Sequence, residues 1–93
     1  MKIVLSVKEL VWLESQGNTR TLTVNEIRQQ IGLPILETDS CSGTGSCSTT
    51  CGNITYTVTG FSTERCRCRT SGGSIYIDCQ PPCASYEIQC QGQ

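Results

Sequence analysis

Apolar and polar positions change their rhythm twice along the chain. Val7, Leu10 and Val11 follow Ser6-Val-Lys-Glu9, an S-x-x-E capping box, and the run stops at Gly17. Val24, Ile27 and Ile31 follow a second box, Thr23-Val-Asn-Glu26, and stop at Gly32 and Pro34. The spacing predicts helices over 7–16 and 24–31. A strand competes for the first stretch, because Ile3, Leu5 and Val7 alternate and would share one face. Residues 39–52, Asp39-Ser-Cys-Ser-Gly-Thr-Gly-Ser-Cys-Ser-Thr-Thr-Cys-Gly52, hold no Leu, Ile, Val or Phe and need crosslinks to take shape.

From Asn53 the period becomes two. Ile54, Tyr56 and Val58 fall on one face of a strand and Thr55, Thr57 and Thr59 on the other. Arg65-Cys-Arg-Cys-Arg69 alternates as well, Ile75-Tyr-Ile-Asp-Cys79 follows Ser71-Gly-Gly-Ser74, and Tyr86-Glu-Ile-Gln-Cys90 follows Pro81-Pro82. The expected fold is a small, disulfide-rich, mainly β protein: a short antiparallel meander of about four strands behind one or two short N-terminal helices.

Gly72-Gly73 as a two-residue hairpin loop fixes a register, with Ser71 opposite Ser74. Cys68 then faces Ile77, Arg69 can lie over the Tyr76 ring, and Arg67 faces Asp78 as an ion pair. Cys66 faces Cys79 within disulfide reach, so these two are expected to be bonded. Partners for Cys41, Cys47, Cys51, Cys68, Cys83 and Cys90 do not follow from spacing. Cys68, Cys83 and Cys90 are available to tie the last strand to the sheet or to a neighbouring molecule.

Composition sharpens the division. Of 20 Leu, Ile, Val and Phe residues in the 93, fourteen precede Ser40, while all eight cysteines lie between Cys41 and Cys90. The chain divides into a cysteine-free apolar, helical segment, 1–40, and a Cys/Ser/Thr/Gly-rich crosslinked β module, 41–93. So few aliphatic residues make a thin core, and the cysteine density points to covalent staples and an oxidising compartment.

A net charge of −1 gives nucleic acid or anionic lipid no electrostatic hold. Leu22–Leu33 is similar to the first helix and turn of a helix-turn-helix module. No recognition helix follows, and the next basic residue after Arg28 is Arg65, so nucleic acid is not expected as a partner. No segment reaches membrane-spanning length. The apolar run Ile3–Val7 meets Lys8-Glu9 after five residues, without a small-residue cleavage site, so the protein is expected outside the cell or on its surface after export without a standard signal peptide.

Catalysis is not expected either. Histidine is absent, which removes the usual near-neutral base and the commonest zinc ligand. Cys47-x3-Cys51 and Cys79-x3-Cys83 have the spacing of zinc knuckles, but the second encloses Pro81-Pro82 and half the cysteines would stay unused. No phosphate-binding loop is present, since Cys41-Ser-Gly-Thr-Gly-Ser lacks a following Lys. No cofactor, metal or catalytic residue is expected.

The division into a helical front and a Cys/Ser/Thr-rich back resembles the leader-plus-core precursors of bacterial ribosomally synthesised, post-translationally modified peptides, lanthipeptides among them. The resemblance implies a leader bound by modifying and export machinery. It also implies a core crosslinked by adding cysteine thiols to dehydrated Ser or Thr, cleavage near Asp39 and Ser40, and an antimicrobial-type product. Residues 41–93 offer fifteen Ser/Thr to eight cysteines for such chemistry. The alternative is a mature disulfide-rich extracellular protein, a secreted binding module or a fibre or filament subunit. In that case Ile3, Leu5, Val7, Leu10 and Val11 would dock on the protein's own sheet or on another copy in a self-assembly.

Overall fold

The computed structural model describes residues 2–36 and 40–90. In chain order the elements are β1 (Lys2–Ser6), a 3-10 turn (Val7–Glu9), β2 (Glu14–Gln16), β3 (Thr19–Thr23), α1 (Val24–Gln30), β4 (Ser42–Cys51), β5 (Ile54–Phe61), β6 (Cys66–Ser71), β7 (Ser74–Cys79) and β8 (Ser85–Gln89). They form two four-stranded sheets, ordered β1-β8-β7-β6 and β2-β3-β5-β4. The sheets bury their apolar faces against each other, with Leu22, Tyr56 and Val58 from the second sheet and Ile75, Ile77 and Ile88 from the first at 0% exposure. Val24 and Ile27 of α1 join the same core.

The helix expected over 24–31 forms because its capping box closes. Thr23 Oγ1 accepts the Glu26 amide at 3.1 Å while the Glu26 carboxylate accepts the Thr23 amide at 2.7 Å. The Asn25 side-chain amide then spans both backbone groups of Leu36, donating to its carbonyl and accepting its N–H. Gln30 holds Val11 in the same two-pronged way.

The helix expected over 7–16 does not form, and α1 is the one α-helix among the described residues. Ser6 makes no side-chain cap; it is buried at the end of β1, whose backbone pairs in parallel with β8 (Lys2↔Ser85 through Ser6↔Gln89). One 3-10 turn is enough to bury both Val7 and Leu10, and Trp12 Nε1 donates back to the Val7 carbonyl. The alternating strand reading of Ile3 and Leu5 describes this segment: both are partly buried against the core and Val4 points out.

A single four-strand meander is likewise replaced by two sheets. The last three expected strands do form one, β6-β7-β8, but β5 leaves it to pair with β3 in parallel and β4 antiparallel. The low-complexity tract supplies β4, a ten-residue strand. Its period-two placement of Cys47, Thr49 and Cys51 faces the first sheet, and a register shift at Gly45 lets it pass Phe61, whose ring would meet any side chain there. Segment 1–40 does not stand apart: it contributes β1 to one sheet and β2 and β3 to the other.

The β6-β7 hairpin has the facing pairs that a two-residue Gly-Gly loop dictates, from Ser71↔Ser74 to Cys66↔Cys79. Gly72 and Gly73 take φ of +59° and +84°, the left-handed backbone that both central positions of a type I′ turn require. One contact differs from expectation. Asp78 pairs with Arg69 at 3.4 Å, not with facing Arg67, because Arg69 swings diagonally while its guanidinium lies 4.2 Å from the Tyr76 ring centre.

Candidate functional surface

All eight cysteines are bonded: Cys41–Cys83, Cys47–Cys68, Cys51–Cys90 and Cys66–Cys79. The last closes the hairpin within one sheet, with Cα atoms 4.0 Å apart. The other three each join a cysteine of the 41–51 tract to the first-sheet half of the chain. No cysteine of that tract pairs with another, and the last strand is tied to β4 rather than to its own neighbours. These bonds hold β4 at both ends and in the middle, so the second sheet is fixed on the first at an edge that would otherwise fray.

The consequence lies on the outer face of the second sheet. Parallel pairing sets Thr19, Thr21 and Thr23 of β3 beside Thr55, Thr57 and Thr59 of β5. Antiparallel pairing sets Thr50, Ser48 and Ser46 of β4 beyond them. Three strands thus present three rows of hydroxyls, spaced about 4.8 Å between strands and about 6.8 Å along each strand. Glu14 and Gln16 of β2 extend two rows, and among these paired positions Glu14 alone carries a charge. The hydroxyls are ordered: Thr57 donates to Ser48 Oγ at 3.0 Å, Ser48 to the Tyr56 carbonyl at 3.1 Å, and Thr50 and Thr55 bond each other at 3.1 Å. Thr23 is diverted to capping α1. At the β2 margin an open concavity of about 510 Å³ is lined by Leu13, Glu14, Gln16, Thr19 and Thr21.

No family model, curated protein or solved structure matches this chain. Its two outer faces nonetheless differ sharply in chemistry. On the first sheet Lys2 pairs with Glu87 at 2.8 Å and Arg69 with Asp78. The hydrogen bond from Lys2 holds the Glu87 carboxyl below the usual carboxylate range, and the same contact raises the Lys2 ammonium above its ordinary value. Between the faces Tyr56, fully buried, donates to the Gly73 carbonyl at 2.8 Å and lies 3.4 Å from that of Ile88, so a second-sheet side chain is hydrogen-bonded to the first-sheet turn. Burial pushes its phenol up to about 12.

The residues singled out from the sequence are distributed unevenly. Of the docking set, Val7 and Leu10 are buried and Ile3 and Leu5 packed on the core, but Val11 is 66% exposed, held at its backbone by Gln30 while its side chain faces solvent. Ser40 is exposed in a turn beside Cys41; Asp39 lies outside the described residues. Among the described residues no group of three or more Cys, Asp or Glu side chains could hold a metal ion, and no helix is long and apolar enough to cross a membrane. The Thr55, Thr57 and Thr59 face of β5 is legible from alternation alone, but its union with the hydroxyls of β3 and β4 is not. The signal for β3 was Thr19-x-Thr21-x-Thr23, which repeats the pattern of 55–59.

Proposed function

We propose that the protein acts whole, as a disulfide-hardened extracellular module that works by contact rather than by turnover, a binding module or the subunit of an assembly. The observation that carries this reading is the placement of β1 and β3 in separate sheets, each hydrogen-bonded to a strand from the cysteine-rich half. Cutting at Asp39-Ser40 and losing the front piece would strip an edge from one sheet and β2, β3 and α1 from the other. Both remaining sheets would then present raw edges. Four disulfides suit an oxidising location outside the cytosol. The fixed, nearly uncharged hydroxyl face supports a neutral, hydrogen-bonding partner surface over a charged one.

Intact mass of the protein from its native source tests this. The proposal expects the full chain lighter than its reduced form by about eight hydrogens and shifted back by a reductant. Water losses from Ser or Thr, crosslinks that survive reduction, or a product starting near Ser40 would overturn it in favour of a leader-plus-core precursor.

A further inference from the structure

We infer that Cys47–Cys68 is a thiol-exchange site, the bond at which the folded protein takes up a low-molecular-weight thiol. Three observations carry this. First, it is the one disulfide with neither half buried: Cys83 is 4% exposed, Cys66 4%, and Cys51 and Cys90 9% and 6%. Second, it joins two edge strands of different sheets, β4 and β6, so no further strand of either sheet covers the sulfurs from outside. Third, the flanks are asymmetric. Cys68 alternates along β6 with Arg67 and Arg69, whose side chains leave from the opposite face, Arg69 pairing there with Asp78. With Arg65 they outnumber Glu64 and Asp78, so the Cys68 flank carries net positive charge, whereas Cys47 sits between Ser46 and Ser48.

That asymmetry sets the direction of exchange. An incoming thiolate bonds to Cys47 Sγ, the Cys47–Cys68 bond breaks, and the electron pair leaves on Cys68 Sγ as a thiolate on the flank of net positive charge. No net oxidation occurs. Attack by Cys68 on the mixed disulfide reverses the step and expels the small thiol. The fold survives opening because Cys41–Cys83 and Cys51–Cys90 still clamp β4 at both ends, so only its middle is released from β6.

The inference rests on the four-disulfide state proposed above. Water losses in the intact mass would defeat that state. Exchange at another bond in a protein of correct four-disulfide mass would defeat only this inference. The test incubates the oxidised full chain with reduced glutathione at neutral pH, quenches with acid and maps adducts and free thiols by peptide mass. The first product should carry glutathione on Cys47 and a free thiol on Cys68, with an unchanged circular-dichroism spectrum. Opening first at any other disulfide, a predominant adduct on Cys68, or no adduct before unfolding would each overturn it. Arg67→Gln, an exposed change outside the core, should slow opening about twofold and move adduct toward Cys68. An unchanged rate and distribution would remove Cys68 as the leaving group.

Discussion

Removing one oxygen atom from Tyr56 should measurably loosen the two sheets from each other. Tyr56→Phe keeps the buried ring but deletes the hydroxyl that donates to Gly73 in the opposite sheet. The lost bond is worth about 1 kcal/mol, and the Gly73 carbonyl, half-buried in its turn, is left partly unsatisfied, for a total of about 1–2 kcal/mol. In a chain of this size that lowers Tm by roughly 5–15 °C. Thermal unfolding followed by circular dichroism, disulfides intact, gives the number, with Tyr76→Phe as the exposed-face control. Alkaline pH supplies a second, independent sign. The buried phenol ionises near 12 against an ordinary value near 10, so its contribution is complete below pH 10 and drains away as pH rises from 10 to 12. That gap corresponds to roughly 3 kcal/mol, more than the hydroxyl contributes at neutral pH. Wild type should therefore be the more stable protein at pH 7 and the less stable one at pH 12. Equal losses for Tyr56→Phe and Tyr76→Phe at pH 7, or parallel stability curves between pH 10 and 12, would refute the reasoning.

Thr23→Ala removes half of the capping box and should cost about 1 kcal/mol in denaturant unfolding, with Glu26→Ala showing a smaller loss in the same direction. Gly72→Asn should be neutral, since nothing lies within 4 Å of the added Cβ and Asn-Gly suits the turn. Gly73→Ala should cost more than about 1 kcal/mol in the same assay, because its Cβ would stand 2.9 Å from the Thr50 carbonyl and 3.1 Å from Cys90 Sγ at a positive φ. The Glu87 carboxyl, followed by NMR, should titrate below the ordinary glutamate range and move up in Lys2→Ala. Its depressed value makes the associated stability present above the unfolded pKa and lost as pH falls through the folded one.

Features that depend on neighbours along the chain were legible in the sequence. The Gly-Gly turn sets the β6-β7 register and brings Cys66 to Cys79, and the alternation around Tyr56 marks the buried face of β5. Two similar capping boxes show the limit. Thr23-x-x-Glu26 nucleates a helix, whereas Ser6-x-x-Glu9 yields a single turn, because β8 captures the residues before it as a strand. That capture, like the pairing of β3 with β5, is a parallel contact between distant segments and leaves no local mark. Without it the partners of Cys41, Cys47 and Cys51 could not be assigned. The threonine rows could not be recognised as one surface either, since half of them come from a strand whose neighbour was unknown.

The parallel pairing of β1 with β8 also dictates when this chain can fold. Lys2–Ser6 wait at a sheet edge until Ser85–Gln89 have been made, and among the described residues no earlier strand pairs with them. A topology this rich in non-local pairing closes slowly. The β6-β7 hairpin, with its turn and its own disulfide, is a piece able to form before that closure. This part of the chain therefore remains threadable until β8 has been made, and a translocating channel would meet an open polymer rather than a finished sandwich. Oxidation of Cys41 and Cys51 has to wait for the same stretch, since Cys83 and Cys90 flank β8, whereas Cys47 needs only Cys68 of β6.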